Sequence, residues 1–348
     1  MNAPPARVSC LIVTYADRRA LLGSVIQRLH EMPAQIEGVV IVFNGVPYNP
    51  DEFVTNNAGA VPLHAVVLSS NTGSAEGYAT ALESASKYTS SDYFWLLDDD
   101  NQPELNALDM LFSASRLLGS SPDVLLLSLR ADRWEYLAAV HTGQHPGFRT
   151  NAFFNFHMGE TLRRKMFGWR PFKERVGELP RYPLVCVPYA PYGGLMLHRA
   201  WIDRVKLPRQ DYFLYGDDHE YTDRISKAGG RIYLCAASEI RDIDRSWFLT
   251  GNAKCHFLLD PDASALRAYF GLRNRVATER QGHVSSSAWY VVNASVFAVR
   301  NLLAAYPYWC DKRFWRRVSL LLAATMDGWK GQLRPMDARL KDWIESHA

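Results

Sequence analysis

Tyr93-Phe94-Trp95-Leu96-Leu97-Asp98-Asp99-Asp100 decides how this chain reads. The first five residues form an apolar run of the length and type that makes a buried strand. The last three put negative charges side by side, where they repel. A divalent cation removes that repulsion, and Mg²⁺ typically sits between one or two carboxylates and substrate phosphates. The stretch is therefore read as a metal–diphosphate site at the carboxyl end of a sheet strand, where open α/β sheets bind ligands. The plainer reading is a solvated acidic turn that caps the next helix.

Around this stretch the pattern repeats. Val8–Thr14, 38–43, 65–68 and 93–97 read as strands, and 18–32 and 77–88 as helices between them. Alternation of this kind predicts a mostly parallel sheet flanked by helices. Each strand ends in small or polar residues: Thr14-Tyr15-Ala16-Asp17, Asn44-Gly45, Asn71-Thr72-Gly73-Ser74, and the acidic triplet. In a parallel sheet these loops leave from one edge and converge on one ligand. The stretch from Asn71 to Gly77 also offers backbone N–H groups at a helix start to a phosphate, although glycine at such a junction is more often turn geometry.

Further on, 124–129 reads as another strand, and Pro191-Tyr192-Gly193-Gly194 as a glycine-led turn into a strand. Asp217-Asp218-His219-Glu220 follows an aromatic run. One aspartate suffices to cap the helix that begins there, which leaves the other to act as a general base.

The order of these motifs resembles the family 2 inverting glycosyltransferases of GT-A fold. It comprises strand–Thr-Tyr, strand–Asn-Gly, Asn-x-Gly-x-x-x-Gly, strand–Asp-Asp-Asp, Gly-Gly and Asp-Asp-x-Glu-Tyr-x-x-Arg (Asp217 to Arg224). The branch it looks most like comprises the galactofuranosyltransferases and rhamnosyltransferases that build bacterial cell-surface polysaccharides. The late stretch Arg267-Ala268-Tyr269-Phe270-Gly271-Leu272-Arg273-Asn274 also looks like this branch. The resemblance implies a GT-A catalytic domain over 1–260 and a helical region over 261–348. It implies that Thr14, Tyr15, Arg18, Asn44, Asn71, Gly73, Asp98 and Asp99 bind the nucleotide sugar. Asp98 and Asp100 would hold Mn²⁺ or Mg²⁺, and Asp218 would be the base, with Asp217 orienting the acceptor. Tyr192, Gly193, Gly194, His219 and Glu220 would meet the acceptor. The expected donor is UDP-galactofuranose, with dTDP-rhamnose next, and the acceptor a glycan or lipid-linked glycan.

One departure stands out. The family often completes its metal shell with a histidine beyond the Asp-Asp helix, and 239–246 holds none. Asp242 stands in that place. It is either the replacement ligand or a loop aspartate paired with Arg241 or Arg245. His219 is the other candidate, although its position suits helix packing or acceptor contact better.

Composition narrows the alternatives. The chain has 348 residues, 48% hydrophobic, enough for one or two domains with a sizeable core. A net charge of +3 does not suggest a nucleic-acid binder. Five scattered cysteines without a CxxC pair fit a reducing cytoplasm. No signal peptide is expected at the N-terminus. A nucleotidyltransferase would want a basic, Gly-rich loop near the N-terminus, and residues 14–18 offer none. An inactive glycan-binding relative would not need both intact aspartate pairs.

Two flanking stretches read as basic and aromatic. Residues 161–175 carry six basic residues and one acid around Phe167, Trp169 and Phe172. Residues 300–348 hold nine Lys or Arg against five Asp or Glu, including Lys312-Arg313-Phe314-Trp315-Arg316-Arg317. Both patterns suit an anionic membrane surface as well as a solvated loop and a helical lid. Residues 288–299 are too short and too broken to span a bilayer. The expected location is the cytoplasmic face of the inner membrane, held peripherally.

Overall fold

The computed structural model describes residues 7–32, 35–145, 147–166, 180–244 and 256–347. Two compact units emerge. The first comprises the described residues of Met1–His145, Glu174–Arg209 and Asp218–Ser246, and the second those of Pro146–Lys173, Gln210–Asp217 and Trp247–Ala348. The helical tail expected over 261–348 thus shares its unit with two earlier segments.

The first unit is built on nine strands. They are β1 Val8–Thr14, β2 Ile36–Asn44, β3 Leu63–Leu68, β4 Tyr93–Asp98, β5 Asn101–Pro103, β6 Val124–Arg130, β7 Leu184–Val187, β8 Leu195–His198 and β9 Arg231–Asp242. Their order is β3-β2-β1-β4-β8-β6-β9-β5, with β7 also paired to β9. β1 pairs in parallel with β2 and β4, β2 with β3, and β6 with β9. β8 runs antiparallel between β4 and β6.

This direction pattern builds the site. β1, β4, β6 and β9 point the same way, so their carboxyl ends deliver Thr14, Asp98, Arg130 and Asp242 to one edge of the sheet. β8 runs the other way, so its entrance, Gly193-Gly194, lies at that same edge. The sheet is therefore mostly parallel, as expected, with β8 inserted antiparallel between β4 and β6.

Helices α1 Arg19–His30, α2 Pro50–Asn56, α3 Gly73–Tyr88, α4 Ala107–Leu117 and α5 Trp134–Thr142 lie in this unit. Apolar residues on both faces of the central strands explain why it is covered twice. Leu11, Phe94 and Leu96 pack on one side with Leu82 and Ala85 of α3. Cys10, Ile12, Trp95 and Leu97 pack on the other with Leu22, Ile26 and Leu111 of α1 and α4. Burying apolar area on this scale contributes about 25 cal/mol per Å² removed from water.

Helix α6 is Met158–Met166, so the first part of the basic segment expected as a loop is helical, while 167–175 lie outside the described residues. After α7 Ala200–Val205 and α8 Asp217–Lys227, the second unit continues with α9 Ala265–Gly282, α10 Ser287–Ala304, α11 Lys312–Lys330 and α12 Ala338–Glu345. Its own core joins Phe270, Val276, Phe297, Phe314 and Leu320. Among the described residues no helix is long and apolar enough to cross a membrane.

Candidate active site

The acidic triplet is wired into the sheet edge through arginines. Arg18, just before α1, donates from Nε to Asp99 Oδ1 at 2.8 Å, from Nη2 to Asp100 Oδ2 at 2.9 Å and from Nη1 to Asp244 Oδ2 at 2.9 Å. Thr14 Oγ1 donates to Asp99 Oδ2 at 2.7 Å. Asp99 is thereby engaged on both oxygens. It is 4% exposed, so its contacts are with the protein.

Asp100, with its side chain 16% exposed, also has both oxygens engaged, Oδ2 by Arg18 and Oδ1 by Asn101 Nδ2 at 3.3 Å, whereas Asp98 is more open. The Asp98 side chain is 39% exposed and accepts from Tyr78 OH at 2.9 Å, while Arg130 Nη1 stands 3.6 Å from its Oδ2. Asn101 accepts from the Asp98 backbone N–H through Oδ1 at 3.1 Å and donates through Nδ2 to Asp242 Oδ1 at 2.8 Å. The second Asp242 oxygen accepts from Arg130 and, at 2.7 Å, from Arg133 Nη2. Asp242 is thus the last residue of β9 and is held by Arg130 and Arg133. The loop placement does not hold because β9 runs to Asp242, nor does the Arg241 pairing, because Arg241 pairs with Glu104 at 3.0 Å; Arg245, the other partner considered, lies outside the described residues.

Burial, and after it the crowding of like charge, raises the pKa of these carboxylates. Desolvation first, then repulsion from Asp98, Asp242 and Asp99, pushes Asp100 up to about 7. Desolvation lifts Asp99 to about 6 against the pull of Arg18. Asp98 is also raised by desolvation, and the Asp218 carboxylate is close enough to add to it. Desolvation works against the charged form of Arg130, but Asp98 and Asp242 outweigh it and raise its pKa.

Asp98, Asp99, Asp100, Asp132, Asp242 and Asp244 are six carboxylates facing three guanidiniums, of Arg18, Arg130 and Arg133. Fully ionised, six carboxylates against three guanidiniums leave the cluster net negative, which favours a bound cation. Among the described residues no set of three or more His, Cys, Asp or Glu is arranged to hold an ion by itself. Mg²⁺ bound through one or two carboxylates with the rest of its shell from diphosphate needs no such set. By charge and donor type, then, the residues fit a divalent cation at Asp98 and Asp100.

Asn44 and Asn71, expected on the nucleotide side, belong to one turn network. Asn44, at the end of β2, donates from Nδ2 to Gly73 O at 2.9 Å and accepts the Thr72 backbone N–H at 2.9 Å. Asn71 Oδ1 accepts the Gly73 N–H at 2.9 Å. Asn44 and Asn71 therefore spend these atoms shaping the start of α3. Tyr15 is 40% exposed beside Arg18, whose guanidinium carbon lies 5.7 Å from the ring centroid.

The Gly-Gly turn is sterically required. A Cβ on Gly193 would lie 2.2 Å from Asn101 Oδ1 and 2.6 Å from Asp98 Oδ2. Gly194 adopts φ +90°, where an L side chain is strained. Tyr192 is 4% exposed, with its ring centroid 4.1 Å from that of Tyr78, so it supports the residue that holds Asp98.

Helix α8 opens with Asp217, which is 2% exposed. The Asp218 side chain is 23% exposed and its Oδ1 accepts the His219 backbone N–H at 2.7 Å. His219 Nε2 stands 4.0 Å from Asp218 Oδ2, and the ring leans on Tyr189 with centroids 4.4 Å apart. Glu220 is 3% exposed and pairs with Arg224 at 2.8 Å, a structural role on the inner side of the helix.

The late Arg-Asn pair has a clear task in the second unit. Asn274 Nδ2 lies 2.8, 2.9 and 2.7 Å from the carbonyl oxygens of Tyr212, Leu214 and Tyr215. Arg273 donates to Asp211 O at 2.8 Å. The turn they hold has positive φ at Phe213 (61°), Tyr215 (62°) and Gly216 (77°), an uncommon sequence of conformations for aromatic residues. Sequence reading missed Tyr78, Asn101, Arg130 and Arg133. Arg130 carried a signal, since a basic residue ends a buried strand there.

No protein-family profile matches this chain, and no curated protein does. Solved structures do. S. aureus TarS 1–349 is 12% identical over 94% of this chain and 82% of that chain, with a TM-score of 0.50. The same protein in complex with UDP-GlcNAc gives 11% identity, 94% and 82% coverage, and a TM-score of 0.51. GalNAc-T7 with UDP, GalNAc and Mn²⁺ gives 13% identity over 99% of this chain and 55% of that chain, with a TM-score of 0.51. The likeness is one of fold. The chain has the GT-A architecture expected from its motifs.

Proposed function

We propose that this protein is an inverting glycosyltransferase. In this reading it moves a sugar from a nucleotide donor to a hydroxyl of a growing surface glycan. The observation that carries it is the net-negative carboxylate–arginine cluster at the carboxyl edge of a GT-A sheet, with the partly exposed Asp218 close by. The solved structures with UDP-GlcNAc, and with UDP, GalNAc and Mn²⁺, support a nucleotide-sugar donor.

The residues divide the work. Thr14 and Arg18 fix Asp99 and Arg18 also holds Asp100, so the triplet keeps its geometry beside the more exposed Asp98. Asp98 and Asp100 would hold the divalent cation, and Asp242 sits at their flank, positioned by Arg130 and Arg133. The cation supplies charge neutralisation for the leaving diphosphate. Asp218 takes the acceptor proton as the new bond forms, and a carboxylate needs no unusual pKa for a late transfer. Asp217, next to it, orients the acceptor side. One in-line displacement inverts the anomeric centre.

The donor we favour is UDP-galactofuranose and the acceptor a lipid-linked glycan at an anionic membrane surface. The membrane part is supported by exposed aromatic and aliphatic residues on the second unit. Trp309, Trp315, Leu303 and Leu322 are between 42% and 63% exposed. The basic run beside them is smaller than its sequence suggests. Arg317 is 1% exposed and donates to Leu258 O and Ala263 O, and Arg313 pairs with Asp262 and Asp311. Lys312 and Arg316 remain to meet lipid headgroups.

Mass-spectrometric detection of nucleoside diphosphate release, with a panel of UDP- and dTDP-sugars, tests the reading. Release that depends on one donor and on Asp218 supports it. No release from any donor in the presence of glycan acceptors, Mn²⁺ and Mg²⁺ refutes it.

A further inference from the structure

The second unit carries a cavity of about 290 Å³, at the small end of the range for ligand sites. Its polar lining is two guanidiniums (Arg149, Arg300), two imidazoles (His157, His256), the Asn155 amide and the Thr161 hydroxyl against one carboxylate, Glu160. Arg300 is exposed to solvent, with its guanidinium carbon 5.2 Å from the centroid of the Phe156 ring, and among the described residues no carboxylate pairs with it. A guanidinium stacked this way keeps its N–H edge for a planar anion.

Two histidines add to the donor count. His157 Nδ1 accepts the Glu160 backbone N–H, and His256 Nδ1 accepts the Leu258 backbone N–H, both at 3.4 Å. In each neutral ring the proton then sits on Nε2, which is a donor. Burial, with Arg300 nearby, lowers the pKa of His256 and keeps it neutral. Arg149 completes the set. Its counter-ion, Glu160, stands 3.6 Å away and also faces Arg163 at 3.8 Å. With neutral histidines the lining has two arginines against one glutamate, a net positive field around unused donors.

Phe154, Phe156 and Phe297 form the apolar part of the wall. Aromatic faces suit the C–H face of a sugar ring, and donors suit an oxyanion on it. We infer that this cavity is a binding site for a sugar residue carrying a carboxylate or phosphate group, separate from the acidic triplet. The sugar half rests on the glycosyl-transfer reading above. The oxyanion half does not.

The test uses the full chain, ¹⁵N-labelled at histidine, with NMR and calorimetric titration. The probes are glucuronic acid, glucose 6-phosphate, glucose and inorganic phosphate. We expect one or both anionic sugars to shift the His157 and His256 signals and to bind about tenfold or more tighter than glucose, the scale of one charge-assisted contact. Arg300→Gln should remove that margin while the variant melts like wild type. Arg149→Gln serves as a second variant. The arms separate the carboxylate from the phosphate source. Inorganic phosphate that binds as well as glucose 6-phosphate overturns the sugar half, whether or not the chain proves to be a transferase. Equal binding of glucose and both anionic sugars, unchanged binding in both arginine variants, or no histidine shift with any probe at millimolar concentration overturns the site.

Discussion

Arg130 closes the β6 end of the cluster by gripping Asp242 while its Nη1 stands 3.6 Å from Asp98 Oδ2. One guanidinium thus ties the end of β9 to the end of β4. Asp242 therefore has a structural load whatever else it binds. Asp242→Ala strands Arg130, Arg133 and the Asn101 amide. Breaking a buried pair by removing one partner costs about 3–5 kcal/mol, and we expect a drop of that order in chemical denaturation. If Asp242 also ligates the cation, the concentration of Mn²⁺ needed for half-maximal activity rises, and Asp242→His restores it in part. A wild-type denaturation curve for Asp242→Ala contradicts the grip.

The acidic triplet predicts how stability varies with pH. In the folded protein Asp99 and Asp100 titrate at about 6 and about 7, raised by burial above the ordinary aspartate value of 3.8. A raised carboxylate pKa means that folding favours the protonated form. This contribution is complete below 3.8 and fades as pH climbs through 7. Metal-free protein should thus melt higher near pH 5.5 than near pH 8, and Asp100→Asn should flatten the difference. Mn²⁺ competes with protons for the same oxygens, so its stabilisation should be larger at pH 8. Equal stabilisation at both pH values argues against binding at these carboxylates. Transfer should vanish in EDTA and in Asp100→Ala, and full activity in chelator sinks the metal role.

Asp218→Asn keeps the shape of the side chain and removes its basicity. We expect transfer to fall by about 10²-fold or more with donor affinity little changed, the usual scale for a lost general base. Calorimetry with UDP-sugar and a turnover assay check both halves. An active Asp218→Asn beside a dead Asp217→Asn reverses the two roles.

Gly193→Ala inserts a methyl 2.2 Å from Asn101 Oδ1 and 2.6 Å from Asp98 Oδ2. Both must move, and a misplacement of about 1 Å can cost about 10²-fold in rate. The expected signature is a fall in kcat larger than the fall in melting temperature would suggest. Near-wild-type turnover means that Asp98 tolerates displacement.

Membrane attachment predicts co-sedimentation with anionic vesicles at low salt and partial release at high salt, since surface charge is screened. Lys312→Glu/Arg316→Glu should bind less and stay folded. Arg317 is left alone because it is buried against backbone carbonyls. If wild type ignores anionic vesicles, the exposed tryptophans serve another purpose.

The strand–helix alternation, the strand ends and the acidic triplet are legible along the chain. Apolar runs such as Val8–Thr14 and Tyr93–Leu97 are local signals, and so is the change to polar residues where each strand leaves the core. Only the tertiary structure decided which of those ends meet. β9, twelve residues long, alternates buried and partly exposed positions too irregularly to announce itself, and Asp242 looked like a loop residue until β9 paired with β6. Arg18, Arg130 and Arg133 are ordinary arginines along the chain. They become counter-ions because parallel strands bring residues 14, 98, 130 and 242 to one edge, and a guanidinium's partners are set by distance in space rather than by spacing in sequence.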